Sequence, residues 1–188
     1  MLSRRTLALL AVAALASAAE DAQPKPPGLS EFRKDVRTLL ASQPAQAAKL
    51  LKEAFAKLPP AGDAEEEGYS PTQEHADLLS DLAEAYLRSK QYEQALKVID
   101  VALGARDSPI RTRAMLLQTQ ARTLISGSAK RVDVSRCDET APAVREWLNA
   151  AQKAVELAQA TGVELPDLPT VRRRLKRQRV RIADACPD

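Results

Sequence analysis

Residues 76–109, ADLLSDLAEAYLRSKQYEQALKVIDVALGARDSP, decide the fold. The first half sets Leu79, Leu82, Ala83 and Tyr86 at helical spacing, and the second does the same with Tyr92, Ala95, Ile99, Ala102 and Leu103. Side chains three and four residues apart share one face of a helix, whereas a strand would need strict alternation. The pattern predicts a helix over 72–89, on which His75, Leu78, Leu79, Leu82, Ala85 and Tyr86 share a face. A second helix follows over 92–103, with Gly104 as its C-terminal cap.

Working outward, all six glycines and nearly all the prolines fall between apolar-periodic stretches, where helices start and stop. Ser30 can cap a helix running to about 41, with Phe32, Val36, Leu39 and Leu40 as its apolar face. Pro44 suits the first turn of another, ending before Pro59-Pro60, on Ala47, Leu50, Leu51, Ala54 and Leu58. A helix over 109–125 carries Ile110, Ala114, Leu117, Ala121 and Leu124, and an inserted polar loop is expected over 127–140. Pro142 then opens a helix to 160 that Gly162 closes, and a last helix over 169–185 has the seam Val171, Leu175 and Ile182. Seven helices in antiparallel order make an all-α chain. Composition agrees: alanine (34) and leucine (25) dominate while aromatics are 3%, a balance that favours helices over sheets. Residues 61–71 hold Asp63, Glu65, Glu66 and Glu67 with almost nothing apolar, and read as a solvated loop or an acidic docking strip.

The 76–109 segment resembles a tetratricopeptide repeat, whose pattern sets large and small packing residues at these positions. Ala83 and Ala95 stand where small side chains let the two helices approach, and Ala102 where the next repeat stacks. Lys90 takes the place of the usual turn glycine, and Pro109 comes two positions late. Residues 28–60 give a weaker copy through Ala47, Leu51, Ala54 and Pro59, and Ala143, Trp147 and Ala150 offer a third triplet. The resemblance implies antiparallel helix pairs stacked as a short right-handed solenoid over 29–186, with the last, basic helix as its cap. It also implies a concave surface, built from the first helix of each pair, that binds a peptide or helix. On this chain Asp77, Ser80, Asp81, Glu84, Leu87 and Arg88 would face that groove. They are mostly acidic, and the asparagine and lysine set that clamps a C-terminal carboxylate in some members is absent, so a basic or apolar partner segment is expected.

The N-terminus reads as an address. Arg4 and Arg5 precede an apolar run, and Ala16-Ser17-Ala18 offers a small-x-small cleavage site, so residues 1–18 are expected to be a signal peptide. The apolar run falls short of the roughly 20 residues that span a bilayer, so no transmembrane span is expected in the mature chain. Removing the leader takes the formal charge of +3 to +1. Residues 19–28, with Pro24, Pro26 and Pro27, read as an extended tether. A periplasmic or secreted chain meets an oxidising environment, and Cys137 and Cys186 are expected to pair there.

Most chemistry is excluded by inventory. No glycine-rich phosphate loop can be written, and one histidine with two distant cysteines supplies neither a zinc site nor a two-histidine centre. His75 and Trp147 are expected to be packing residues, and pairs such as Asp81 and Glu84 lack the shaped cleft that carboxylate catalysis needs. No catalytic residue, metal or cofactor is expected. Arg172, Arg173, Arg174, Lys176, Arg177, Arg179 and Arg181 crowd one helix. They suit a polar cap for a repeat array or contact with an anionic envelope lipid or polymer. Export and the absence of interleaved aromatics weigh against nucleic acid. The expected function is a non-enzymatic protein-docking scaffold in the cell envelope, the alternative a structural anchor acting through the arginine-rich helix.

Overall fold

The computed structural model describes residues 29–56, 73–104 and 108–187. The chain divides into two units, 1–32 and 33–188. Of the first only 29–32 are described, as helix, and all that follows concerns the second. The expected signal peptide, the tether, the acidic loop over 61–71 and the side chain of His75 lie outside the described residues.

Every regular element among the described residues is helical: α1 (Leu29–Ser42), α2 (Pro44–Phe55), α3 (Gln73–Arg88), α4 (Tyr92–Gly104), α5 (Ile110–Arg131), α6 (Cys137–Ala160) and α7 (Leu168–Ala185), with a single 3-10 turn (Val134–Arg136) before α6. From α2 to α7 each helix packs on its successor, and α3 and α5, like α5 and α7, also touch. Side-chain pairs give the directions. Gln120 Nε2 donates to Asp100 Oδ1 at 3.4 Å and Lys130 sits over the Tyr92 ring, so α4 and α5 are antiparallel. Asp77 meets Thr112 and Glu84 meets Arg122, so α3 and α5 run parallel.

Lys90 explains the tight turn from α3 to α4. Its amide donates to Leu87 O and that of Gln91 to Tyr86 O, the double bond of a Schellman cap. The cap needs a left-handed residue, and Lys90 adopts φ +63°. A side chain in that conformation costs about 1–2 kcal/mol, which is why glycine is usual. Gly162, at φ +70°, turns the chain in the same left-handed way after α6.

Alanines close the helix contacts. Ala83 and Ala102 are fully buried with Ile99 and Leu116, and Leu79 completes that cluster. Burial of a side chain such as Ile99 contributes about 1.5–3 kcal/mol. A larger cluster joins α5, α6 and α7 through residues such as Leu124, Val144, Leu148, Val155, Val171 and Leu175. Helix α5 is central and buried on most of its circumference, with polar Thr123 and Ser128 donating to its own carbonyls Thr119 O and Ile125 O at 2.8 Å. Ile110, expected on its apolar face, is exposed.

The expected loop over 127–140 is corrected. Helix α5 runs on through Gly127 to Arg131, and α6 begins at Cys137, five residues before Pro142. Gly127 is a close-approach site instead of a break: a Cβ there would run into the Trp147 ring. Arg131 stacks on that ring, its guanidinium 4.2 Å from the centroid. Asp133 organises the short link, accepting from Ser135 N at 3.0 Å. Asp138 and Glu139 in the first turn of α6 suit the positive end of the helix dipole. Pro142 removes one hydrogen bond near that end and the helix tolerates it. The expected triplet Ala143, Trp147 and Ala150 is also displaced. Ala143 and Ala150 are exposed, and the buried stripe runs through Ala141, Val144, Leu148, Ala151, Val155 and Ala158.

Cys137 and Cys186 form a disulfide across Cα atoms 5.3 Å apart. It joins the start of α6 to the end of α7, and not a loop to a helix as expected. Among the described residues no helix is long and apolar enough to cross a membrane.

Candidate functional site

A groove of about 540 Å³ opens where α1, α3, α5 and the link after α6 meet. Ser80, Asp81, Glu84 and Arg88 of α3 line it, so four of the six residues expected to face a partner gather here. Asp77 and Leu87 do not line it: Leu87 is buried, and Asp77 sits between Arg33 and Thr112.

Asp77, Asp81 and Glu84 of α3 do not present free charge. Arg33 of α1 donates through Nη1 to Asp77 Oδ2 at 2.5 Å and through Nε to Asp81 Oδ2 at 2.8 Å. Arg37 adds a looser ion pair to Asp81 at 3.6 Å. Arg122 of α5 forks onto Glu84, Nη1 to Oε2 at 2.8 Å and Nη2 to Oε1 at 3.2 Å, while Arg88 Nε donates to Oε1 at 2.7 Å. Spaced four and three residues apart, Asp77, Asp81 and Glu84 occupy one stripe of α3 and tie α1 to one flank and α5 to the other. Burial lowers the pKa of the Arg33 guanidinium, but the hydrogen bonds and negative charges of Asp81 and Asp77 outweigh it, and the net shift is upward. Its charge, and the stability that charge contributes, therefore persists through neutral and mildly alkaline pH and is lost only as pH climbs through the raised value.

The expectation of a mostly acidic face is thus corrected. Among the described residues four cations line the groove, Arg37, Arg88, Arg111 and Arg122, against four anions, Asp81, Glu84, Glu164 and Asp167. Apolar contact comes from Leu40, Leu165, Pro166 and the partly exposed Met115. Sequence reasoning missed the α1 and α5 contributions. The available signal was the arginine set Arg33, Arg37 and Arg122, whose counterpart is the acidic stripe of α3.

The arginine-rich helix lies elsewhere. Val171, Leu175, Gln178 and Ile182 of α7 face inward and the seven cations face solvent. Arg172, Arg173, Lys176 and Arg179 line a second groove of about 570 Å³ beside α6, while Arg174, Arg177 and Arg181 stand outside it. Among the described residues no cluster of three or more histidine, cysteine or acidic side chains is placed to hold a metal ion. No family model, curated protein or solved structure matches the chain.

Proposed function

We propose that the chain is a non-enzymatic docking scaffold of the cell envelope, whose tetratricopeptide-like helix pairs stack as a short right-handed solenoid capped by α7. A partner segment lies in the groove of α1, α3 and α5. The observation that carries this reading is the groove itself: alternate helices of the chain converge on one concavity, with α3 and α5 parallel, which is how a repeat array builds a shared surface. Location in the envelope rests on the leader read in residues 1–18 and agrees with the disulfide.

The balance of charge narrows the expected basic or apolar partner to the apolar one. With Asp81 and Glu84 engaged by arginines and the cations and anions of its described lining equal in number, the groove offers no net attraction for a basic segment. Affinity comes instead from an apolar anchor seated against Met115, Leu40 and Leu165, with flanking polar groups setting register and selectivity. A photo-crosslinking residue at Met115 should trap a discrete partner in cells, while one at exposed Val101 on α4 should not. Met115→Glu should weaken capture of that partner by at least about tenfold, with thermal unfolding unchanged. Equal trapping at both positions would show that the groove is not the docking surface.

A further inference from the structure

Helix α7 holds seven cations between 172 and 181 and one acid, Asp184. Among the described residues none of the seven is in an ion pair, whereas Arg33, Arg88, Arg122, Arg131 and Arg136 all are. Four of the seven, Arg172, Arg173, Lys176 and Arg179, converge on the groove beside α6, which among the described residues no acidic side chain lines. Two of these are positioned by neutral partners. Arg179 Nη2 donates to Asn149 Oδ1 at 2.8 Å and Arg173 Nη2 to Thr170 Oγ1 at 3.1 Å. Gln152 completes the polar wall, its amide nitrogen donating to Glu156, and Pro169, Leu175 and Val180 supply the apolar part.

We propose that this groove binds a compact oligophosphate of about three or four negative charges, free or displayed on a lipid headgroup. Guanidinium forks match phosphate oxygens, and four cations around one concavity exceed what a single phosphate neutralises. Helix α7 has no aromatic side chain to stack on bases, and Val180 is its one large exposed apolar residue, too little to insert into acyl chains. The site is separate from the α1, α3 and α5 groove and does not depend on its occupant.

Calorimetric titration of the disulfide-bonded chain with tripolyphosphate should show one-to-one binding that weakens with added salt. Arg172→Gln, Arg173→Gln and Lys176→Gln together should weaken it by at least about tenfold. Arg174→Gln, Arg177→Gln and Arg181→Gln remove the same charge outside the groove and should weaken it by less than about threefold. Circular dichroism of both triple variants establishes that each remains folded. Equal losses in the two variants would mean a diffuse field instead of a site, and overturn the proposal. Vesicles bearing phosphatidylinositol bisphosphate, against phosphatidylglycerol vesicles of equal surface charge, separate the sources. Retention only on the first, lost with the groove triple, assigns a lipid headgroup; retention on neither, with tripolyphosphate bound, assigns a free ligand. Binding of neither probe, or equal retention on both vesicles by both variants, also overturns it.

Discussion

The α3 groove and the α7 surface are both rich in arginine, yet they use it in opposite ways. At and beside the groove Arg33, Arg88 and Arg122 each meet a carboxylate within 2.8 Å, and the Arg33 and Arg122 pairs tie α1 and α5 to α3. On α7 the same side chain stands without a carboxylate among the described residues, and the helix is held by its apolar seam and by the disulfide. Arginine count alone therefore says nothing about which face attracts an anion. Charge that fastens helices is spent inside the fold, and only the uncommitted kind is offered to a ligand.

The largest test of this contrast removes the covalent fastener. In the chain-entropy picture, closing the segment between Cys137 and Cys186, 49 positions apart, contributes about 4 kcal/mol. Cys137→Ser with Cys186→Ser should lower stability by about that amount in denaturant titrations, with the loss concentrated in α7. Hydrogen exchange would show it: amides of α7 should lose protection before those of α3 and α5. If all three exchange together, α7 is held by packing as firmly as the groove helices are, and the contrast fails.

A smaller effect tests the groove. Glu84→Gln keeps the shape and removes the charge on which Arg122 and Arg88 converge. The Glu84 and Arg122 side chains are 17% and 29% exposed, so solvent screens part of the loss. The expected cost is about 2 kcal/mol in chemical denaturation, whereas Arg177→Gln on α7 should stay within about 0.5 kcal/mol. Similar costs at the two sites would mean that the groove pairs fasten nothing.

The all-helical fold was legible because apolar side chains at three and four residue spacing need no tertiary information to be seen. Gly162 and the cysteine pair were legible for similar reasons, since a left-handed turn and a lone pair of cysteines each have one dominant chemical signature. Gly127 was not. A glycine that makes room for the Trp147 ring and one that ends a helix are the same letter, and only the neighbouring helix tells them apart. The candidate groove was half legible. Asp81 and Glu84 could be placed on one face of α3 from spacing, but their neutralisation depends on Arg33 and Arg122, 48 and 38 positions away. The reach of a long side chain across a helix interface has no local signal in the chain.

The smallest effect reverses the sign. On α7, Arg177 has Arg173 one turn before it and Arg181 one turn after, two like-charge pairs at i,i+4, each destabilising by about 0.2–0.5 kcal/mol. Arg177→Glu converts both to opposite-charge pairs. Residue 177 is exposed and lies outside the phosphate groove, so no packing is disturbed. The variant should be more stable than the parent by about 1 kcal/mol at low ionic strength, read as a raised unfolding midpoint, and the gain should shrink in about 0.5 M salt as screening sets in. The corresponding reversal in the groove, Arg122→Glu, would set two carboxylates face to face and lower the midpoint. Opposite signs from one chemical change at two arginines follow directly from uncommitted and committed charge. A destabilised Arg177→Glu would instead mean that this arginine already has a partner within the fold, and that α7 is less free to bind than its geometry shows.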